Sequence, residues 1–286
     1  MELLVTVIVI MVIWYAVEAV LYRQTDYYKN THKSYLSVRM DKGSYGEYLT
    51  YKYLKCYEED GAKFLYNCYL PKENEKTTEI DVLMIHSSGI YVFESKNYSG
   101  WIFGSEKQKT WTQTLPNGKK SQKEHFLNPI MQNKLHIKWL KEQIGENYPI
   151  HSVIVFSERC TLKKIDLIST DIKVIKRDQV KHTVKEAASN FGNVMSQEQI
   201  VSVYDKLYPF TQVTDYVKEK HVEDIKTAHS EQVTVSVPDD HENGNLICPR
   251  CGSTLVTRIA KRGENAGKQF YGCSNFPKCR YIRDMD

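Results

Sequence analysis

Two acidic residues and a lysine lie at the far ends of two apolar segments that a short polar turn separates. The stretch EIDVLMIHSSGIYVFESK has β-branched runs on both sides of HSSG, which is the pattern of an antiparallel β-hairpin. If Ile85 pairs with Ile90 across the turn, Asp81 lies directly opposite Glu94. Alternation of side chains along the strands then predicts that Asp81, Glu94 and Lys96 share one face of the sheet.

Opposed carboxylates of this kind repel each other, because their Cβ atoms are only about 4.5 to 5.5 Å apart. Apolar neighbours such as Ile80 and Phe93 indicate that the two acids are not solvated surface charges. A divalent cation bound by carboxylate oxygens would offset the repulsion, and so would the ammonium group of Lys96. The chemistry that fits is metal-assisted phosphodiester cleavage, in which Asp81 and Glu94 bind Mg²⁺ and Lys96 orients or activates water. The alternative is a salt bridge or a solvent-facing edge of the hairpin.

Four cysteines near the C-terminus have the spacing of metal ligands: Cys248, Cys251, Cys273 and Cys279. Two residues separate the members of the first pair and five separate those of the second. Thiolates from two hairpins around one ion predict a tetrahedral Cys₄ site for structural Zn²⁺. The module is too small to fold on its own core, so metal binding would supply its folding free energy. Disulfides are the alternative, which a cytoplasmic location disfavours.

The same C-terminal module is rich in basic and aromatic side chains. Backbone charge and base stacking together suit single-stranded nucleic acid, although zinc ribbons also serve as protein-docking modules. The residues are Arg250, Arg258, Lys261, Arg262, Lys268, Lys278, Arg280 and Arg283, with Phe270, Tyr271, Phe276 and Tyr281.

An apolar segment near the N-terminus is long enough to cross a bilayer as a helix. Residues 3–22 contain one charged side chain, Glu18, over about the 20 residues that a transmembrane helix needs. No lysine or arginine precedes the segment, whereas Arg23, Lys29 and Lys33 follow it. By the positive-inside rule, this predicts an uncleaved cell-membrane anchor with the N-terminus outside and the main body in the cytoplasm. A cleaved signal peptide is the alternative.

Two further polar residues lie in predicted helices that flank the hairpin. Ser44 and Glu47 have the spacing of a capping box, but Glu47 could equally be a third carboxylate at the metal, and the residues alone do not decide. Asn128 and Pro129 predict the start of a second helix. Gln132 in this helix could reach the sheet or could be an ordinary boundary residue.

A lysine-rich region with two tryptophans follows the hairpin. Lysines interleaved with aromatic side chains suit a rim that contacts nucleic-acid phosphates, and a solubilising surface strand is equally compatible. The residues are Lys107, Lys109, Lys119, Lys120 and Lys123, with Trp101 and Trp111. The net charge of the whole chain is only +4, so any nucleic-acid surface must be local.

The predicted elements alternate between helices and strands. We expect strands at 64–70, 79–86, 89–96, 151–156 and 172–175, a second hairpin from residue 101, and helices at 44–60, 128–145 and 196–207. This order predicts an α/β fold around a mixed sheet. Residues 211–246 collect acidic side chains without periodicity, which predicts an acidic linker.

Several ordered motifs over residues 42–155 resemble the nuclease-related domain (NERD) family. They are GSYGE at 43–47, EID at 79–81, GIYVFESK at 89–96 and NPIMQ at 128–132. That family is similar to the PD-(D/E)xK nucleases, which implies a metal-dependent endonuclease-like fold with a mixed sheet flanked by helices. The resemblance implies catalytic positions for Glu47, Asp81, Glu94, Lys96 and Gln132, and it favours the functional reading of Glu47. Isoleucine occupies position 80, where the nuclease motif has proline.

Residues 247–281 look like the C-terminal zinc finger of type IA DNA topoisomerases, through CPRCG and FYGCSNFPKC. In those enzymes the module binds single-stranded DNA, and nothing in this chain resembles their catalytic core.

The expected organisation is a transmembrane anchor (1–22), a juxtamembrane segment (23–40), a nuclease-like domain (41–210), an acidic linker (211–246) and a zinc finger (247–286). The expected function is metal-dependent DNA phosphodiester hydrolysis by a membrane-anchored, DNA-binding protein. A non-catalytic adaptor that holds DNA or a protein at the membrane is the alternative.

Overall fold

The structure is a computed structural model that describes residues 1–117, 120–234, 248–251, 253–259 and 269–284. It divides into two compact units, Met1–Ile225 and Lys226–Asp286. The helices, in chain order, are α1 (Glu2–Arg23), α2 (Asp26–Thr31), α3 (Tyr35–Met40), α4 (Lys42–Leu54), α5 (Pro129–Ile144), α6 (Val180–Phe191), α7 (Gln197–Leu207) and α8 (Asp215–Thr234).

The strands of the first unit form two sheets, and those of the second unit form a third. They are β1 (Lys63–Pro71), β2 (Thr77–His86), β3 (Gly89–Lys96), β4 (Gly100–Ser105), β5 (Thr110–Asn117), β6 (Lys120–Leu127), β7 (Ile150–Phe156), β8 (Cys160–Asp166), β9 (Ile172–Lys176), β10 (Leu255–Ile259), β11 (Gln269–Cys273) and β12 (Ile282–Asp284).

The largest sheet is mixed and has the strand order β1-β2-β3-β7-β9. Its first three strands are antiparallel, and β3, β7 and β9 are parallel. One face packs against α2, α3, α4 and α6 through a core rich in tyrosine, and the other packs against α5 and α7 through an aliphatic core. The predicted α/β architecture with a mixed sheet flanked by helices is therefore confirmed.

The second sheet has the order β6-β5-β4-β8 and continues two strands of the first. β4 follows β3 and pairs in parallel with β8, which follows β7. Trp111 of β5 is fully buried and stacks on Phe156 with an interplanar angle of 3°. The polar strand β6 was not predicted, because its side chains from residue 121 to 125 are exposed and show no alternation.

We expect Gly104→Ala to destabilise the second sheet strongly. A Cβ atom at Gly104 would lie 2.1 Å from Cδ2 of Trp111, and the buried indole has no space to move into. The expected loss is about 3 kcal/mol of unfolding free energy, measured by urea denaturation. Gly43→Ala is the control, because its nearest neighbour would be 3.4 Å away, and equal stability of the two variants would contradict the packing argument.

The segments on either side of the predicted nuclease-like domain are folded. Residues 23–40 include α2 and α3, and Tyr27 and Val38 of these helices are fully buried in the tyrosine-rich core. The region predicted as an acidic linker contains α8, so the structure differs from that prediction. His221 of α8 is buried, and its Nδ1 lies 2.9 Å from the hydroxyl of Thr77. Residues 235–247 of the predicted linker lie outside the described residues.

Helix α1 is long and apolar enough to cross a membrane by length and composition. A signal sequence near the N-terminus would have the same properties. Its last turn differs from the rest, because Tyr22 is fully buried against the tyrosines that follow.

Candidate functional site

The hairpin of β2 and β3 has the predicted register. Ile85 pairs with Ile90, and the ladder continues to Val82 and Phe93, one step short of Asp81 and Glu94. Asp81 and Glu94 do not continue this backbone pairing. Instead, Oδ2 of Asp81 accepts a hydrogen bond of 2.9 Å from the backbone amide of Ser95. Asp81 is thus held by the neighbouring strand at the edge of the pairing.

Regular alternation of side chains breaks at Asp81. Ile80 and Leu83 pack into the same aliphatic core, although three positions separate them, and Val82 packs into the opposite core. The partner strand β1 changes face at the matching position, where Asn67 has a φ of 49°. A non-glycine residue in this backbone region is uncommon and marks local strain. The position of the Asp81 side chain is therefore set by this irregular backbone at Asp81 and Asn67 and not by strict alternation along the strand.

Glu94 and Lys96 share one face of β3, as predicted. Lys96 Nζ lies 2.6 Å from Glu94 Oε1, and both side chains are largely removed from solvent. The second carboxylate oxygen, Oε2, lies 3.0 Å from Nε2 of His136 on α5. The other imidazole nitrogen lies 2.6 Å from the hydroxyl of Thr78, so the ring is held at both ends. A neutral ring that donates from Nε2 accepts from Thr78 at Nδ1.

His136 was missed by the sequence analysis. It lies four residues after Gln132, and therefore on the same side of the helix, which is the only signal that could have indicated it. Gln132 lies in the first turn of α5, and its buried Oε1 has no hydrogen-bond partner among the described residues.

Glu47 is a buried carboxylate and not a capping residue. The N-cap of α4 is Asp41, whose side chain accepts from the amide of Ser44, so of the two alternatives for Glu47 the capping box does not form. Glu47 Oε2 instead accepts from the hydroxyl of Tyr27 at 3.2 Å and from the side-chain amide of Asn67 at 3.1 Å. Tyr27 and Asn67 were not recognised in the sequence, because both reach Glu47 only through packing between distant elements.

The four ionisable groups divide into a paired set and an unpaired set. Burial acts to raise the pKa of Glu94, but the charge of Lys96 and the hydrogen bond from His136 outweigh it and lower the pKa to about 2. Burial acts to lower the pKa of Lys96, but Glu94 and Asp81 outweigh it and raise the pKa. This pair is therefore ionised.

The other two carboxyl groups, of Asp81 and Glu47, form no direct ion pair with a basic side chain among the described residues. Burial, and then the negative charges of Glu94 and Glu47, raise the pKa of Asp81 well above its usual range. Burial also raises the pKa of Glu47 to about 7, against the opposing effect of Lys33. Two buried acids with raised pKa values next to an ionised pair are the electrostatic setting that a divalent cation would relieve.

The donor set fits Mg²⁺ in its chemistry, because Mg²⁺ is commonly bound by one or two carboxylates and completed by water. In the described part of the chain, the four cysteines alone bring three or more ligand atoms within 4.8 Å of one another. The carboxylates Glu47, Asp81 and Glu94 therefore do not form a compact set of three ligands.

The four cysteines converge on one point, as predicted. Cys248 and Cys251 lie before β10, Cys273 ends β11 and Cys279 precedes β12. Their sulfur atoms lie within 4.8 Å of one another, with Cys248 and Cys279 at 3.8 Å. Tetrahedral zinc with bonds of 2.3 Å places sulfur atoms about 3.8 Å apart. The site therefore fits structural Zn²⁺.

The surface of the zinc ribbon is basic and partly aromatic. Phe276 is 57% exposed, and the guanidinium of Arg258 lies over its ring at 5.6 Å. Other exposed basic residues are Arg250, Lys278, Arg280 and Arg283. Of the predicted residues, Lys261, Arg262 and Lys268 lie outside the described residues.

The lysine-rich rim is confirmed only in part as an exposed surface. Trp111 is fully buried, so the prediction that it stands between the lysines is wrong, because it fills the core of the second sheet. Trp101 is 43% exposed, with Lys163 Nζ over its ring at 5.2 Å. Lys107, Lys109 and Lys123 are exposed, Lys119 lies outside the described residues, and nothing is described of the side chain of Lys120.

Comparison with known proteins agrees with this geometry. Residues 42–157 match the nuclease-related domain family, and residues 246–286 match the topoisomerase DNA binding C4 zinc finger. An uncharacterized protein of Bacillus anthracis is 29% identical over 192 residues, which cover 67% of this chain and 87% of that protein. No solved structure matches the chain.

The match to topoisomerases is partial. DNA topoisomerase 1 of Helicobacter pylori strain J99 is 25% identical over 158 residues, which cover 55% of this chain but 17% of that enzyme. The uncharacterized protein YrdD of Escherichia coli K12 is 44% identical over 41 residues, which cover 14% of this chain and 20% of that protein. The chain therefore contains a nuclease-related domain (NERD) at residues 42–157 and a topoisomerase-type C4 zinc ribbon at residues 246–286.

Proposed function

We propose that this protein is anchored in the cell membrane, binds DNA and hydrolyses DNA phosphodiester bonds with Mg²⁺. The observation that carries the proposal is the buried, ionised pair of Glu94 and Lys96, together with the buried carboxyl groups of Asp81 and Glu47, whose pKa values are raised. A salt bridge that served stability alone would not need two more buried acids beside it, because each adds repulsion.

Asp81 and Glu94 would hold the Mg²⁺ ion, and Glu47 would add negative charge near Asp81. When bound, Mg²⁺ polarises the scissile phosphate and lowers the pKa of a bound water. Lys96 remains charged because Glu94 and Asp81 raise its pKa, so it is suited to stabilise negative charge that develops on the phosphate. His136 and Lys96 orient Glu94 through both of its oxygens. Gln132 has a free buried acceptor in the first turn of α5, which suits a contact with water or substrate.

The zinc ribbon is proposed to bind single-stranded DNA. Support comes from the exposed ring of Phe276 and the surrounding basic side chains, since base stacking on an aromatic ring and backbone charge are the two parts of such a site. A double helix has no unstacked bases to offer to the ring. The topoisomerase-type zinc finger favours DNA as the ligand over a protein partner.

We expect Phe276→Ala to weaken binding of single-stranded DNA by about 1 to 3 kcal/mol, which is the contribution of one stacked base. The measurement is fluorescence anisotropy of a labelled oligonucleotide with the full chain. Val256→Ala in β10 is the control, because Val256 is also exposed but is not aromatic. Zinc content should be unchanged in both variants, and equal DNA affinity of the two would count against base stacking.

The membrane anchor is proposed from the charge distribution around α1. Basic residues follow the apolar helix and none precedes it, which favours an N-terminus outside and a cytoplasmic body. Residues 3–22 would contact the lipid bilayer. A reducing cytoplasm agrees with four free thiols that bind zinc.

The test uses the full chain in detergent micelles. We would incubate it with single-stranded, double-stranded and branched DNA, with Mg²⁺ or with EDTA. Cleavage that requires Mg²⁺ supports the proposal. DNA binding without cleavage of any substrate would instead favour a non-catalytic adaptor at the membrane. The structural argument for this alternative is that both oxygens of Glu94 already have partners, Lys96 at Oε1 and His136 at Oε2.

A further inference from the structure

The two parallel strands that carry the candidate site pass from the first sheet into the second at one junction. β3 pairs with β7 up to Lys96, and β4 pairs with β8 from Gly100 onward. The amide of Ser157 donates to the carbonyl of Lys96 at 3.0 Å, so residues 97–99 and 157–159 run side by side. The junction therefore begins directly after the candidate catalytic lysine.

Two guanidinium groups meet at Asn97 in this junction. Nη2 of Arg159 donates to the carbonyl oxygen and to Oδ1 of Asn97, both at 3.1 Å, and its Nε donates to Ser157 Oγ at 3.2 Å. Nη2 of Arg177 approaches the same Oδ1 at 3.5 Å, and its Nε donates to Thr50 Oγ1 at 3.3 Å. One side-chain oxygen thus accepts from both arginines.

The junction has more positive than negative charge. The side chain of Arg177 is fully buried and forms an ion pair of 2.9 Å with Glu158. Arg159 is exposed and forms no ion pair with any acidic residue in the described part of the chain. Its Nη1 also has no acceptor among the described residues, which leaves two N–H groups of this guanidinium available to a ligand. Two like charges are brought together here, and among the described residues only Arg177 has a carboxylate as an ion-pair partner.

The junction also touches the helix that carries Glu47. A Cβ atom at Gly46 would lie 2.9 Å from Cβ of Asn97, so α4 and the junction are in direct contact at this point. Asn97 additionally donates to the carbonyl of Lys42 at 2.8 Å. This contact therefore joins Gly46, which precedes Glu47, to Asn97, which follows Lys96 and accepts hydrogen bonds from Arg159.

We propose that Arg159, held by Asn97 and Ser157 and supported by Arg177, binds a backbone phosphate of the DNA strand adjacent to the candidate site. This inference rests on the proposed function, since it names how the nuclease-related domain holds its substrate independently of the zinc ribbon. A planar guanidinium with two free N–H groups matches phosphate oxygens in geometry and charge. Because Arg159 is bonded to Asn97, the residue after Lys96, a DNA strand bound to Arg159 would lie across the acidic residues of the candidate site.

The test compares DNA affinity across salt concentration for the full chain in detergent micelles. Each phosphate contact contributes about 0.7 to 0.9 to the slope of log affinity against log salt. We expect Arg159→Gln to reduce the slope by about that amount, whereas Arg159→Lys keeps the charge and should largely restore it. Lys185→Gln is the control, because Lys185 is exposed on α6 and should leave the slope unchanged.

The outcomes separate this inference from the proposed function. If the wild-type chain does not bind DNA, the proposed function fails. If it binds DNA and Arg159→Gln has the wild-type slope, the phosphate contact is overturned and the zinc ribbon accounts for binding. A reduced slope in Arg159→Gln with a wild-type Tm supports the contact. A reduced slope that Arg159→Lys does not restore would assign Arg159 a structural role and overturn the proposal.

Discussion

Cys273→Ser is expected to abolish zinc binding and unfold the zinc ribbon, which is the largest effect of any single substitution in this chain. Among the described residues of the ribbon, the buried core consists of three of the four cysteines and Leu255, so this part of the ribbon buries little apolar surface without the metal. Structural zinc contributes about 10 to 16 kcal/mol of apparent binding free energy in modules of this size. We expect zinc content to fall from one ion per chain to none.

The measurement is elemental analysis of zinc together with DNA affinity of the full chain. Loss of the ribbon should weaken single-stranded DNA binding about tenfold or more, because stacking and charge contacts are lost together. Cys56→Ser is the matched control, since Cys56 is a free cysteine of the nuclease-related unit, away from the cluster. A ribbon that keeps its NMR dispersion without zinc would contradict the argument that the metal supplies its folding free energy.

Asp81→Asn is expected to abolish Mg²⁺-dependent cleavage and at the same time to stabilise the protein in EDTA. Cleavage should fall by about 10²- to 10³-fold or more, because asparagine binds a divalent cation much more weakly than a carboxylate does. Stability should rise because the substitution removes a buried negative charge beside Glu94 and Glu47. The asparagine side-chain oxygen can still accept the hydrogen bond from the amide of Ser95.

The pH dependence of this gain follows from the direction of the pKa shift. The folded-state pKa of Asp81 is raised above its unfolded value of about 3.9. The wild-type carboxyl group therefore destabilises the fold at pH values above the unfolded pKa, and this penalty disappears below it. The difference in Tm between Asp81→Asn and wild type in EDTA should be positive at pH 7 and should decrease toward zero as the pH falls to about 4.

Glu146→Gln is the control for both readouts, because Glu146 is an exposed acid whose side chain is 78% accessible. It should leave cleavage and Tm at the wild-type level. An Asp81→Asn variant that melts below wild type in EDTA would show that no electrostatic repulsion is stored at this site. Cleavage at the wild-type rate would remove Asp81 from the mechanism.

The regular elements were predictable because their signals are local. The apolar runs on both sides of a polar turn predicted β2 and β3 with the observed register, since pairing across a short turn leaves little freedom. The helix opened by Asn128 and Pro129 was equally predictable, because its N-cap and first turn are made by neighbouring residues. The spacing of the cysteines predicted the zinc centre for the same reason.

The predictions that failed depended on residues far apart in the chain. The capping box at Ser44 and Glu47 was a sound local interpretation, but Asp41 caps the helix and Glu47 bonds to Tyr27 and Asn67 instead. Trp111 has the pattern of an exposed strand residue beside lysines, and only the closure of the second sheet on Phe156 buries it. Helix α8 escaped recognition because most of its described side chains are polar.

By itself, the sequence determined the central hairpin and the helix that begins at Pro129, the zinc ligands, and the acids and lysine that resemble a nuclease site. The tertiary structure decided how these groups are arranged: irregular backbone at matching positions of β1 and β2 presents Asp81, α5 supplies His136 to Glu94, and a junction between sheets brings Arg159 to Asn97, the residue after Lys96. The physical reason is the distance along the chain over which each kind of interaction acts. Hydrogen-bonding turns and periodic burial act between neighbours, whereas the ionisation of a buried acid depends on every charge that packing brings near it.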